Sequence, residues 1–253
     1  MKPVAPTQHA SINGQSLEYV IAGQGSPIIV LINGAGGPIE GWLRVMEPLS
    51  ALGTVFAYNR PGTGGSGKPA VAQTGEVIVE SLRALLRQAH LSPPYLLVGH
   101  SLGGLAVNLF ARTFPEEVSG VVLLDATAPE DVSVMARYQS GFQRFAQRTL
   151  DTLFGKDEFG ETEHVSHTVG LIQRAGPFPD VPLAVVTGGR PAMAWATPAQ
   201  ALAARAEHQR ALAALSPQGK QIIASRSGHF PQLTEPGVVV EAVRFVNVRR
   251  NPS

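Results

Sequence analysis

The sequence predicts an α/β protein with a mostly parallel central sheet flanked by helices. Short aliphatic runs alternate along the chain with longer segments in which apolar residues recur every three or four positions. This alternation is typical of parallel strands joined by right-handed helical crossovers. Glycine-rich stretches follow several of the aliphatic runs, at the strand ends where sheets of this kind bind ligands.

The predicted strands are short and mainly apolar, and in chain order they are 16–22, 27–32, 55–58, 95–98, 121–125, 182–187 and 221–224. The first alternates apolar with other residues, which predicts an antiparallel strand, whereas the second is apolar throughout, as expected of a strand covered on both faces. Predicted helices separate most of these strands, at 39–52, 75–91, 102–112, 198–215 and 236–248.

The stretch 128–180 does not follow this alternation, because it lacks an aliphatic strand and carries many charges. We therefore expect a core domain of residues 1–127 and 181–253 with a helical cap inserted at 128–180. Apolar side chains at helical spacing form one stripe in the cap. The members of the stripe are Met135, Tyr138, Phe142 and Phe145. The stripe either packs the cap onto the core or also lines a substrate pocket, and the two roles are compatible.

Composition narrows the class of protein further. The chain has 253 residues, 44% of them hydrophobic, enough for a large core in one domain with an insertion. The net charge of +1 favours neither nucleic acid nor an anionic membrane as a partner. The absence of cysteine excludes disulfides, thiolate zinc sites and a cysteine nucleophile. Residues 1–11 contain no apolar signal core, and no run is long enough to span a membrane. We therefore expect a cytoplasmic protein. We further expect a monomer or homodimer that acts on a small molecule.

The segment Gly-His-Ser-Leu-Gly-Gly at 99–104 joins an aliphatic strand to an amphipathic helix. A Gly-x-Ser-x-Gly turn in this position is typical of a nucleophile elbow, which exposes a serine hydroxyl above the sheet. A side chain at Gly99 or Gly103 is expected to collide with the neighbouring strand or helix. Ser101 is therefore the predicted nucleophile, and His100 is expected to point back into the sheet as a structural residue.

A serine nucleophile needs a base, and an acid to orient that base. His229 follows the last predicted strand and a glycine, and it completes the order Ser, Asp, His along the chain. Asp125 ends the strand after the elbow helix and is the predicted acid. Glu130 and Asp131 are nearby alternatives, which we assign to the first turn of a helix, where acidic residues are favoured.

Backbone N–H groups are needed to stabilise an oxyanion. We assign them to Leu102, which follows the nucleophile, and to Ala35 in the glycine-rich loop 33–37. That loop lacks the lysine of a phosphate-binding loop, and we expect no cofactor.

A pair of histidines, His164 and His167, lies near Glu161 and Glu163 with spacing for one helix face. Without further ligands, this pattern favours a charged, solvated surface over a metal site, and we expect no metal. Six residues are candidates for the substrate pocket, although packing roles explain the aromatic ones equally well. They are Asn33, Gly34, Tyr138, Phe142, Trp195 and Phe230.

The segments 33–35, 58–66, 99–104 and 227–229 together resemble the α/β-hydrolase superfamily, and the resemblance extends over residues 15–248. It implies the α/β-hydrolase fold with a cap and a serine esterase or lipase-like activity. The family usually has His-Gly at the oxyanion loop, where this chain has Asn-Gly, and an aspartate where this chain has Asn59.

A third departure concerns the catalytic acid. In the family it often follows the strand that corresponds to the one ending near Thr187 in this chain. No carboxylate stands there. Some members, including haloalkane dehalogenases, take the acid from the end of the preceding strand, and this position matches Asp125. Dehalogenases and epoxide hydrolases themselves are disfavoured, because their nucleophile is an aspartate where this chain has Ser101. Proline iminopeptidases rank lower, because no acidic cluster is available for a substrate amino group.

We therefore expect a serine hydrolase that cleaves a carboxylic ester of a small, apolar substrate through an acyl-enzyme. A carbon–carbon bond hydrolase or a cofactor-free perhydrolase with the same triad remains an alternative. Another is a ligand-binding protein on a hydrolase scaffold, which the missing acid after residue 187 favours.

Overall fold

The computed structural model describes residues 5–132, 160–190 and 199–250. Within these ranges eight strands form one sheet. The strands are β1 (Thr7–Ile12), β2 (Gln15–Ala22), β3 (Ile28–Ile32), β4 (Thr54–Tyr58), β5 (Tyr95–His100), β6 (Val118–Leu124), β7 (Leu183–Gly188) and β8 (Gly219–Ala224). Their spatial order is β1-β2-β4-β3-β5-β6-β7-β8.

Helices cover both faces of this sheet. The described α-helices are α1 (Leu43–Ser50), α2 (Gly75–Gln88), α3 (Gly103–Thr113), α4 (Val165–Arg174), α5 (Ala199–Ala213), α6 (Pro231–Thr234) and α7 (Pro236–Arg249). Short 3₁₀ turns lie at Ile39–Trp42, Pro115–Glu117 and Glu161–His164. None of the described helices is long and apolar enough to cross a bilayer.

Strands β3 to β8 pair in parallel, whereas β1 and β2 pair antiparallel with each other and β2 pairs antiparallel with β4. The predicted fold class, an α/β protein with a mostly parallel sheet flanked by helices, is confirmed. The sequence did not predict β1. Only Ala10 and Ile12 are buried in this edge strand, too few for a recognisable alternation.

The core has two layers, one on each face of the sheet. Helices α2, α3 and α4 enclose one layer, and α1 and α7 enclose the other. Helix α3 is buried along most of its length, because it lies between the sheet and the pair α2 and α4. Since α4 belongs to the stretch 128–180, the described part of the predicted cap packs directly on the helix that follows the elbow.

The central strands are almost entirely apolar and buried, as expected for strands with helices on both faces. Because they run in parallel, their carboxyl ends meet at one edge of the sheet. Loops that follow β3, β5, β6, β7 and β8 therefore converge there, and they carry the side chains described next.

Candidate active site

Ser101 occupies a sharp turn between β5 and α3. Its φ is +51°, a left-handed conformation that non-glycine residues rarely adopt. Three backbone hydrogen bonds hold it there. Its own N–H donates to the carbonyl of Leu124 (3.1 Å), and its carbonyl accepts from the N–H groups of Gly104 and Thr127 (3.0 Å each). A Cβ atom at Gly103 would lie 2.3 Å from the carbonyl oxygen of Ile32. The turn is therefore tight enough to require glycine beside the serine.

The structure brings the three predicted triad residues into contact. The His229 Nε2 atom lies 3.0 Å from the Ser101 Oγ atom, and His229 Nδ1 lies 2.7 Å from Asp125 Oδ2. With Nδ1–H donating to the carboxylate, Nε2 has a free lone pair directed at the serine hydroxyl. The Asp125 side chain is only 6% exposed, whereas that of His229 is 36% exposed. The His229 ring is therefore partly open to solvent, whereas the Asp125 carboxylate is buried.

Asp125 follows β6 and, like the serine, has a positive φ, +41°. Its N–H donates to the carbonyl of Val186, and its Oδ1 accepts the N–H of Gly188 at 3.0 Å. Oδ2 also accepts a hydrogen bond from Arg205 Nη2 at 2.6 Å. Burial acts to raise the pKa of Asp125, but the hydrogen bond from His229 and the charge of Arg205 outweigh it. The pKa is held below its ordinary value, so the carboxylate is ionised at neutral pH.

Asp131, the buried alternative to Asp125, has other partners. Its Oδ2 accepts the N–H of Ala128 at 2.8 Å, and its Oδ1 lies 2.6 Å from His208 Nδ1. This arrangement fits the assignment of Asp131 to the start of a helix.

Neutral polar groups fill the end of β7, where the family often has its acid. Thr187 Oγ1 accepts a hydrogen bond from Gln221 Nε2 at 2.9 Å. Gln209, which is fully buried, donates to the carbonyl of Ala126 at 2.7 Å. Strand β7 instead contacts Asp125 through its backbone, because the N–H of Gly188 donates to the Asp125 carboxylate.

The loop after β3 lies against the nucleophile. A Cβ atom at Gly34 would be 3.0 Å from the Ser101 Cβ atom. The N–H of Gly34 donates to the side chain of Asn33, and that of Gly36 donates to Glu161. Among the described residues, by contrast, no acceptor contacts the N–H of Ala35 or Leu102. Both N–H groups are thus without an acceptor among the described residues.

Arg60 and Glu161 form a buried ion pair that the sequence did not indicate. Arg60 donates to the carbonyls of Asn33 and Gly34. Its Nη2 lies 2.9 Å from Glu161 Oε1, and its Nε lies 2.6 Å from Oε2. The two side chains are 7% and 15% exposed. The prediction of a solvated surface is therefore wrong for Glu161, because its carboxylate is turned inward to Arg60 and the N–H of Gly36.

The prediction of a solvated surface does describe His167, which is about half exposed and lies 2.9 Å from Glu76. Among the described residues, no group of three or more metal-ligating side chains is close enough to hold a metal ion.

His100 keeps the predicted structural role, but its side chain does not point in the predicted direction. Its ring lies beside His229, at 4.9 Å between centroids, and its Nε2–H donates to the backbone carbonyl of that residue at 2.7 Å. Burial, the main cause, lowers the pKa of His100 to about 4, so the ring is neutral at pH 7. The side chain therefore supports the loop that carries His229 instead of pointing back into the sheet.

The predicted pocket residues fall in different places. Asn33 is only 5% exposed, and its amide binds the carbonyl of Pro38 and the N–H of Gly34. It is thus a loop-bracing residue and not a lining residue. Phe230 is half exposed, with its ring 5.0 Å from that of His229. Three other predicted pocket residues lie outside the described residues. They are Tyr138, Phe142 and Trp195.

A small, mainly apolar cavity lies beside the elbow, with a volume of about 20 Å³. Its lining residues include Leu102, Leu105, Ile78 and Val165. Arg60 and Glu161 also contribute to the lining.

The sheet, with serine, histidine and aspartate in contact at its carboxyl edge, has the architecture of the α/β-hydrolase fold. Residues 27–158 match the family described as alpha/beta hydrolase fold. This match covers more than half of the chain, and the chain belongs to that family.

Known proteins are similar to this chain at different levels. The uncharacterised protein YqjL of Bacillus subtilis is 35% identical over 103 residues, 41% of each chain. A mouse (lyso)-N-acylphosphatidylethanolamine lipase is 30% identical over 100 residues, 38% of this chain and 29% of the lipase. The chain thus spans well under half the length of either relative. The enol-lactonase of Burkholderia xenovorans superposes with a TM-score of 0.66 over 94% of this chain and 99% of the lactonase, at 22% identity.

Proposed function

We propose that the protein is a serine hydrolase that cleaves a carboxylic ester through an acyl-enzyme. The observation that carries this proposal is the continuous contact from Ser101 Oγ to His229 Nε2 and from His229 Nδ1 to Asp125 Oδ2. A serine hydroxyl is a weak nucleophile, and an adjacent oriented base is the usual means of activating it.

In the proposed mechanism, His229 Nε2 takes the hydroxyl proton as Ser101 Oγ attacks the carbonyl carbon of the ester. Asp125, ionised and buried, holds the imidazole with Nδ1 protonated and stabilises the imidazolium that forms. The N–H groups of Ala35 and Leu102 stabilise the oxyanion, since both are free among the described residues. His229 returns its proton to the leaving alcohol. It then activates water, which attacks the acyl-enzyme and releases the acid.

We infer a small, mainly apolar substrate. Support comes from the cavity beside Leu102, whose other walls include Leu105, Ile78 and Val165. The similarity to a lipase agrees with ester chemistry. The predicted cytoplasmic location and monomeric or homodimeric state remain proposals from the sequence.

Labelling with a fluorophosphonate tests the nucleophile directly. We expect Ser101 to be modified, and Ser101→Ala to abolish both labelling and hydrolysis of p-nitrophenyl butyrate, with a loss of about 10³-fold or more in kcat. Ser11→Ala is the matched control, because Ser11 is exposed on β1, and it should retain both.

Asp125→Asn should lower kcat by on the order of 10⁴-fold, because the amide favours the wrong imidazole tautomer. A wild-type protein that is neither labelled nor active on any ester would contradict the proposal. Such a result would favour a ligand-binding protein on this scaffold.

A further inference from the structure

The carboxylate that orients His229 is shared with a guanidinium. Arg205, on α5, places Nη2 2.6 Å from Asp125 Oδ2, and His229 Nδ1 lies 2.7 Å from that same oxygen. The orienting role requires only the imidazole on this oxygen. Arg205 is therefore an additional cation in direct contact with the Asp125 carboxylate.

Other charged and titratable groups surround this contact. Asp131 Oδ2 lies 4.0 Å from Arg205 Nη1, and His208, also on α5, is bound to Asp131 at 2.6 Å. The Arg205 side chain is 33% exposed, whereas both carboxylates are buried. The ring of His100, which is neutral at pH 7, lies 4.9 Å from that of His229. Arg205 is thus the permanent cation nearest to the Asp125 carboxylate among the described residues.

Arg205 has two physical effects on the triad. Its hydrogen bond adds a further donor to the Asp125 carboxylate, beside His229 Nδ1 and the N–H of Gly188. Its positive charge also offsets part of the carboxylate charge that would otherwise stabilise a protonated imidazole. Removing the guanidinium should therefore loosen the acid and, at the same time, favour the protonated form of His229.

We propose that Arg205 is a positioning residue that holds Asp125 in place for His229. It also keeps His229 neutral, and so able to act as a base, at a lower pH than Asp125 would allow without Arg205. This proposal rests on the proposed serine-hydrolase function for its catalytic consequence. Its effect on the protonation of His229 is independent of turnover.

The test is an NMR titration of the His229 ring in a Ser101→Ala background, which requires no catalysis. The His229 signal is assigned by its loss in His229→Gln. In Arg205→Gln the midpoint should move to higher pH by about 0.5 to 1 unit. Arg205→Lys keeps the charge and should keep the midpoint. Arg210→Gln is the matched control: it removes an exposed cation from the same helix and should leave the midpoint unchanged.

With Ser101 restored, the acid limb of the kcat/KM profile for p-nitrophenyl butyrate should move to higher pH in Arg205→Gln. At high pH the variant should lose about 3- to 10-fold in kcat, because His229 and Gly188 still hold the acid. If Arg205→Gln does not fold, as judged by circular dichroism, Arg205→Met takes its place with the same expected shift.

The proposal would be overturned if the midpoint of the His229 titration in folded Arg205→Gln stayed unchanged or moved to lower pH. A wild-type protein without esterase activity would refute the proposed function but would leave the titration readable. The two failures can therefore be distinguished.

Discussion

The buried pair of Arg60 and Glu161 gives the most quantitative prediction. The two side chains are 7% and 15% exposed, so solvent screens them little. Replacing Glu161 by alanine leaves the guanidinium with only the carbonyls of Asn33 and Gly34, and leaves the N–H of Gly36 without its acceptor. Removal of one partner from a buried ion pair typically costs about 3–5 kcal/mol. We expect Glu161→Ala to fall in this range, and Glu161→Gln, which keeps an acceptor oxygen, to cost less.

Urea denaturation followed by circular dichroism measures this cost as a shift in the midpoint with an unchanged m value. The double-mutant cycle with Arg60→Met isolates the pair. The double variant should be less destabilised than the sum of the single variants, because no unpaired charge remains buried. Glu80→Ala is the control. Glu80 binds Arg83 at 3.2 Å but is 57% exposed, and such surface pairs contribute about 0–1 kcal/mol.

The ion pair also connects the turn at 161–164 to the loop that carries Ala35. Glu161→Ala should therefore lower kcat on p-nitrophenyl butyrate by about 10-fold, because the loop donor is less well oriented. A destabilisation below about 0.5 kcal/mol with full activity would refute the reasoning, since it would mean that the pair does not form in solution.

Two further predictions concern the elbow and its surroundings. Gly103→Ala should cost about 3 kcal/mol in urea denaturation, because the new Cβ would lie 2.3 Å from a backbone oxygen of Ile32. Gly237→Ala, in α7 with nothing within 4 Å, should instead stabilise by about 0.5–1 kcal/mol; equal effects of the two substitutions would contradict this account. His100 has a folded-state pKa of about 4, below the ordinary value of about 6.5. The unfolded chain therefore binds its proton first, and the stability present above pH 6.5 should fall by up to about 1.4 kcal/mol per unit between pH 6.5 and 4. Denaturation curves of His100→Gln should show a correspondingly shallower dependence, and an identical slope would exclude His100 as the cause.

The sequence predicted most of the elements because their signals are local. Aliphatic runs correspond to the central strands, and apolar residues at helical spacing correspond to α2, α3 and α7. The predicted helix at 75–91 ends early, at Gln88, because His90 adopts a left-handed φ of +57°. The edge strand β1 was missed because most of its residues are exposed and its pattern carries no apolar alternation.

Candidate site residues could be placed from the sequence where a tight turn or a strand end positions them. Ser101 and Asp125 follow directly from neighbouring strands, and both have positive φ values. Glu161 and Arg205 lack such a local signal. Their partners Arg60 and Asp125 lie 101 and 80 positions away in the chain, so only the packing of the helices and loops reveals the pairing.

By itself, then, the sequence determined the α/β class, the elbow and the order of the three candidate catalytic side chains, because periodicity and turn chemistry act over a few residues. The tertiary structure alone decided that His229 and Arg205 share the Asp125 carboxylate, that Glu161 is buried against the glycine-rich loop, and that His100 supports the loop of His229. These contacts depend on which surfaces meet when separate elements pack, and no short stretch of the chain contains that information.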